Sequence, residues 1–254
     1  MSPKDTRFAR RRALVTGSTG GLGVAVARAL AAEDAFVVVS GRDRARGAAV
    51  VADIRSAGGE AAFVVADLGA GIDAVRDVAD AASKAAGGGI DILVNNAATL
   101  LMPTPTADVT EQALQDAFTV NVFAPFLLTG VLGPRMAEQG HGAIVNIGSI
   151  TGLRGSSGSA IYSATKAAIH SFTKSWADEY GPAGVRVNAV APGPIGTERQ
   201  AEFADHIAPV LSRLPSRRMS TPEEVAAAVT FLASDDATNI HGAILSVDGG
   251  WAAT

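Results

Sequence analysis

Seven short apolar runs rich in β-branched residues recur along the chain: ALVT at 13, FVVVS at 36, AFVVAD at 62, IDILVNN at 90, GAIVNIGS at 142, VRVNAVAP at 185 and AILSVDG at 243. Most are apolar at consecutive positions. Strands buried on both faces need that pattern, so the runs read as a parallel sheet covered by helices on both sides. The segments between them, such as GVAVARALAAED and TPEEVAAAVTFLAS, carry apolar residues at helical spacing, and Thr221 with Pro222 and Glu224 makes a helix start. Strand alternating with helix implies an α/β, Rossmann-type doubly wound fold with a seven-stranded parallel sheet. No linker interrupts the 254 residues, so 1–254 reads as a single domain.

Hydrophobic residues at 48% and charged residues at 18% exclude a disordered or fibrous chain. The net charge of −4 argues against a nucleic-acid partner. With no cysteine there is no disulfide framework, thiol nucleophile or cysteine metal site; no metal is expected, and a cytoplasmic setting is compatible. The opening MSPKDTRFARRR is basic but lacks a following apolar segment, so 1–10 is expected to be a flexible, solvated tail. No run approaches the roughly 20 apolar residues of a membrane span. Residues 192–220 are richer in Pro, Arg and Ser than their surroundings and follow the sixth strand. Ligands of open α/β sheets bind beyond the strands' carboxyl ends, which makes this stretch a candidate substrate lid.

TGSTGGLG, residues 16–23, directly follows the first strand and opens a helix. Glycines there allow a tight turn and close approach of a pyrophosphate, and the helix N-terminus offers free N–H groups to it. Gly17, Ser18, Thr19, Gly21, Leu22 and Gly23 are therefore candidate dinucleotide-binding residues. A carboxylate ending the second strand would favour NAD, but VVVSGRDRARG places Ser40 at the position expected for that acid and Arg42 after it, with Arg44 and Arg46 nearby. A guanidinium suits a 2′-phosphate, so NADP(H) is favoured and NAD(H) is possible, with Asp43 weighing against the phosphate. Asp67 and Leu68 at the third strand's end, and Asn95 to Ala98 at the fourth's, fit an adenine and a ribose, although such residues are also ordinary at strand ends.

In YSATK, Tyr162 and Lys166 stand four residues apart on a helix and can reach into one site. A tyrosine is a poor base at neutral pH unless a nearby cation favours the phenolate, which Lys166 and an oxidised nicotinamide are expected to do. Tyr162 could then exchange protons with a substrate.

With Gly17, Gly21 and Gly23, Asn95 to Ala98, Asn121 in TVNVFAPF, Ser149 in IVNIGS, Tyr162 and Lys166, and Pro192 and Gly193 in this order, the chain resembles the short-chain dehydrogenase/reductase family over about residues 10 to 252. Its general look is that of the 3-oxoacyl carrier-protein reductase-like branch. The resemblance implies one dinucleotide-binding and catalytic domain that moves a hydride between NADP(H) and a ketone or secondary alcohol. Ser149 would hold the substrate oxygen, Tyr162 would be the general acid/base, and Lys166 would bind the nicotinamide ribose and lower the Tyr162 pKa. Asn121 would supply a water-mediated link from Lys166 to solvent. Asn95, Ala97, Pro192, Gly193, Ile195 and Thr197 would join the cofactor site. Ala98 and Gly20 depart from the pattern, the latter because many NADP-dependent relatives carry a basic residue there.

The substrate pocket is expected from Leu100 to Pro103, Ile150 to Arg154 and Pro194 to Met219, mostly apolar and suited to a hydrophobic ketone or alcohol. An acyl carrier protein would need a basic patch beside the cleft, and only His141 is offered near it. Arg154 and His206 read as surface residues. The resemblance further implies a homotetramer through helices about 108 to 138 and 160 to 180. Two rivals are weighed: a catalytically idle dinucleotide-sensing regulator on the same fold, and a non-redox offshoot. Intact Tyr162 and Lys166 count against both.

Overall fold

The computed structural model describes residues 6–198 and 204–253. Its seven strands are β1 (Arg12–Val15), β2 (Phe36–Gly41), β3 (Glu60–Val65), β4 (Ile92–Asn95), β5 (Gly142–Ile147), β6 (Val185–Pro192) and β7 (Ile244–Val247). They form one sheet in the order β3-β2-β1-β4-β5-β6-β7, parallel throughout. All seven apolar runs are strands. Because β1 pairs with β2 on one side and β4 on the other, the winding direction reverses between β1 and β4, and this opens a crevice at the strands' carboxyl ends.

Strand alternation divides the core. Val15, Val39, Val94 and Val145 pack under α1 (Gly21–Ala31), α2 (Arg44–Ser56) and α8 (Pro222–Ala233). Leu14, Val38, Leu93 and Ile144 face α3 (Ile72–Ala85), α5 (Ala124–Gln139) and α6 (Ala160–Tyr180). Leu14, Leu93 and Ile144 are wholly buried, each such side chain stabilising the fold by about 1.5–3 kcal/mol. The start of α8 has both hydrogen bonds of a capping box, Thr221 Oγ1 accepting from the Glu224 N–H and Glu224 accepting from the Thr221 N–H.

α4 (Glu111–Phe118) runs through a single π-helical turn, Thr119–Phe123, into α5. The continuous stretch Glu111–Gln139 contains an 18-residue segment with a mean hydropathy of 1.5, long and apolar enough to cross a membrane by length and composition. Half of that segment is buried in the protein, where α5 packs against α3 and α6, as a core helix does.

The expected tail is shorter than 1–10. Phe8 is only 1% exposed, and Arg7 pairs with Glu33, because a phenyl ring next to the first strand stabilises more when buried than when solvated. Residues 1–5 lie outside the described residues. Within 192–220, a bridge between Ile195 and Ser220 ties the ends, and α7 (Ala204–Leu211) lies between them. Residues 199–203 and the His206 side chain lie outside what is described.

Candidate active site

Gly17 takes φ +63°, and a Cβ there would stand 2.8 Å from the Ala97 Cα, so only glycine lets the turn after β1 lie against the end of β4. At Gly23 a Cβ would meet the Asn96 amide nitrogen at 2.7 Å. Thr16 locks the approach: its Oγ1 accepts from the N–H groups of Asn96 (2.9 Å) and Ala97 (3.0 Å). Asn96 Nδ2 donates to the carbonyls of Thr16 (2.8 Å) and Gly17 (3.1 Å). The bare backbone of the turn faces a cavity of about 560 Å³ at the sheet's switch point.

Gly17, Thr19, Gly21, Leu22 and Gly23 line that cavity on the glycine-turn side, with Arg42, Asp67 and Leu68 at one end. Ala97, Pro192, Gly193, Ile195 and Thr197 complete the walls toward Ser149, Tyr162 and Lys166. Three expectations are corrected. Ser18 is wholly buried beneath the turn, where its hydroxyl donates to the Val15 carbonyl and accepts from the Ser40 N–H. Ser40 is buried as well, its hydroxyl bonded to the Val15 carbonyl, so the residue at the rim is Gly41. Asn95 points away from the cavity because strand neighbours alternate faces; its Nδ2 donates to Asn146 Oδ1 (2.9 Å) and Thr129 Oγ1, and Asn96 takes the inward place. The sequence places Thr16 and Asn96 inside the TGSTGGLG turn and the Asn95 to Ala98 segment without a role of their own, although a polar pair ending two adjacent parallel strands is a signal for such a lock.

Ser149 ends the chain's exit from β5 and is 8% exposed. Its Oγ lies 3.0 Å from Thr151 Oγ1 and accepts from the Thr151 N–H at 3.2 Å. Its own N–H is held from behind by His170, whose Nε2 accepts at 3.4 Å. His170 is 5% exposed; a methyl group on Gly148 would overlap its ring, and one on Gly152 would stand 2.8 Å from its Cε1. Burial pushes this imidazole down to about 4, with Lys166 and Lys174 adding to the effect and the Gly152 backbone opposing it. It is therefore neutral near pH 7, and the acceptor role of Nε2 assigns the proton to Nδ1.

On α6, Lys166 is 3% exposed and its Nζ donates to the Ile147 carbonyl at 2.7 Å, which ties the helix to the end of β5. Burial pushes Lys166 down to about 8 and Tyr162 up to about 12. Lys166 Nζ sits 5.7 Å from the phenol ring's centre, and among the protein's own groups lost solvation outweighs the expected lowering by that cation. The phenol is thus neutral and a proton donor.

Asn121 sits in the π-helical turn, an irregularity often found at functional sites. Its Oδ1 accepts from the Thr99 N–H (2.7 Å), while Nδ2 donates to the Thr99 carbonyl (3.1 Å) and to Thr165 Oγ1 (3.3 Å). The side chain therefore pins the loop after β4 to α6. Arg154 donates to the Trp251 carbonyl at 2.8 Å and lies over the indole, 5.2 Å from its centre. His141 lies at the opposite end of the sheet, not beside the cleft, its Nδ1 3.0 Å from Arg11 Nη1.

The site joins a glycine turn to a buried lysine, a neutral phenol and a serine hydroxyl. A family model described as enoyl-(acyl carrier protein) reductase matches residues 17–252. The cis-4-hydroxycyclohexanecarboxylate dehydrogenase of Sinomonas cyclohexanicum is 41% identical, over 97% of this chain and 98% of its own. A solved short-chain dehydrogenase/reductase family protein is 43% identical with a TM-score of 0.89, covering 98% of this chain and 100% of the other. A protein of Beutenbergia cavernae, solved with NADP bound at low occupancy, is 36% identical with a TM-score of 0.92 over the same shares. With the glycine turn, the switch-point crevice and the YSATK helix all meeting in one cavity, the chain belongs to the short-chain dehydrogenase/reductase family and is an oxidoreductase of alcohol and carbonyl groups.

Proposed function

We propose that this enzyme interconverts a ring-borne secondary alcohol and its ketone with NADP(H), using Tyr162 as the general acid/base. The observation that carries the reading is that Ser149, Tyr162 and Lys166 open onto the same cavity as the glycine turn and Arg42. The residues present fit a dinucleotide: Gly17, Gly21 and Gly23 present bare backbone to the cavity, and Gly41 presents no carboxylate to a 2′-phosphate. Arg42 and Asp67 would hold the adenosine half, and Lys166, Ala97 and Thr197 the nicotinamide half. Bound there, NADP(H) supplies or accepts the hydride.

The chain's own residues do the rest. In the reducing direction Ser149 turns its hydroxyl from Thr151 to the carbonyl oxygen, and Tyr162 delivers its proton to that oxygen as the carbon takes the hydride. A neutral phenol suits that direction. In the oxidising direction the proton returns to Tyr162, which then needs Lys166 nearby as a cation. Leu100, Pro194 and Ile207 give the substrate end apolar walls, and the name of the Sinomonas relative supports a cyclohexane ring. Ile207 of α7 lines the cavity, which supports a covering role for the segment after β6.

A cytoplasmic homotetramer belongs to the same reading. Phe123 (55% exposed) and Phe126 (50%) stand on α5's side of the molecule, and Phe126 packs edge-on against Phe172 and at a tilt against Trp176 of α6, giving an apolar face for a second copy. The function is tested by turnover of a panel of cyclic ketones with NADPH: Ser149→Ala is expected to lose at least a hundredfold in kcat while NADPH affinity stays within twofold. Full turnover by that variant would remove Ser149 from the reaction.

A further inference from the structure

We propose that Arg46 selects the 2′-phosphate of NADP(H) together with Arg42, and that Glu198 competes with that phosphate for Arg46. This rests on the NADP(H) reading above and deepens it. Arg46 leaves the first turn of α2, where its N–H donates to the Asp43 carboxylate at 3.0 Å. That bond employs Asp43 as a helix cap and turns the acid that weighed against a phosphate into a support for the cation. The guanidinium reaches back over the glycine turn: its Nη2 stands 2.8 Å from where a Cβ on Gly20 would be. A side chain at position 20 would displace the guanidinium from this position. With glycine there, Arg46 stands at the cavity wall with Gly41 and Arg42.

The same nitrogen donates to Glu198 Oε2 at 2.9 Å. Glu198 comes from the other side of the crevice, one residue after Thr197, whose methyl group lies 3.7 Å from a Cβ placed on Gly21. The ion pair therefore closes over the glycine turn from both flanks. Its side chains are 53% and 75% exposed, so it is a weak pair. A phosphate monoester offers nearly two charges and three acceptor oxygens, and a guanidinium fork binds it through paired hydrogen bonds. Such a group outcompetes one exposed carboxylate and repels it. A cofactor with a free 2′-hydroxyl displaces nothing, and the pair stays formed. Glu198 thus subtracts from NADPH affinity while leaving NADH affinity unchanged.

The test is the dissociation constants of NADPH, NADH and adenosine 2′,5′-bisphosphate, by fluorescence and calorimetric titration, for the wild type, Arg42→Ala, Arg46→Ala, Glu198→Gln and the Arg46→Ala/Glu198→Gln double variant. Arg46→Ala is expected to weaken NADPH and the bisphosphate at least tenfold and NADH less than twofold. Glu198→Gln should tighten NADPH about two- to fivefold, the size of an exposed ion pair, and should do so only while Arg46 is present. Equal losses for both cofactors in Arg46→Ala, or a Glu198→Gln gain that persists in the double variant, would overturn the proposal. A wild type that prefers NADH, or binds neither cofactor, would overturn the NADP(H) reading and this proposal with it. A wild type that prefers NADPH through Arg42 alone would overturn only this one.

Discussion

Replacing Lys166 with methionine should make the protein more stable at neutral pH while destroying its activity. Lys166 is 3% exposed, and burial holds its pKa at about 8 against the ordinary 10.5. Below pH 8 both folded and unfolded chains keep the proton, and the folded state carries the full cost of a buried ammonium. Between pH 8 and 10.5 the unfolded chain still holds the proton that the folded chain has released, so stability rises with pH in that window. For a shift of this size the gain from pH 7 to pH 10 is about 2.5 kcal/mol. Tyr162 has the opposite sign: its raised value of about 12 contributes stability below pH 10 that is lost as pH climbs toward 12. That contribution cancels between two proteins that both retain Tyr162. Urea unfolding of wild type and Lys166→Met, at one fixed protein concentration and at pH 7 and 10, isolates the lysine. The difference in unfolding free energy should move toward the wild type by about 2.5 kcal/mol on raising the pH. A difference that stays flat to within about 0.5 kcal/mol would refute the idea that a buried, destabilised ammonium is kept here for chemistry.

Other outcomes are open to direct measurement. His170→Leu should lower kcat about tenfold without changing NADPH affinity, because the Ser149 N–H loses its acceptor. His170→Gln, whose Oε1 can take the place of Nε2, should recover most of that loss; equal losses in both would reduce His170 to packing. Arg42→Asp should shift preference from NADPH toward NADH by at least tenfold in relative kcat/KM, and an unchanged ratio would remove Arg42 from the phosphate site. Phe126→Glu should lower the molar mass measured by light scattering to that of a smaller assembly, and an unaltered mass would place the subunit contact elsewhere.

The periodicities were enough for the fold. Runs such as FVVVS and GAIVNI are apolar on both faces, and only a sheet covered on both sides can bury them. The glycine turn was legible because Gly17 and Gly23 sit at close backbone contacts that admit no side chain. What escaped were facts of facing and of environment. Asn95 and Asn96 are adjacent and identical, and only the strand's pleat decides which one reaches the turn. Ser40 and Gly41 pose the same problem at the end of β2, where a one-residue step separates the buried face from the rim. The upward push on Tyr162 was not legible because charge proximity can be inferred from a four-residue spacing, whereas desolvation depends on everything packed around α6. Phe8 lies among basic residues in the sequence, and its burial depends on a core cluster whose other members are distant in the chain.

Tyr162→Phe removes one oxygen atom and leaves the ring that packs beside Lys166. The decisive comparison is its NADPH-dependent reduction of a ring ketone that the wild type turns over, measured beside NADPH binding on the same preparations. Proton delivery by Tyr162 requires binding within about twofold of wild type and kcat lowered by about a thousandfold or more. Turnover by Tyr162→Phe within tenfold of wild type would contradict it and assign the proton transfer to another group.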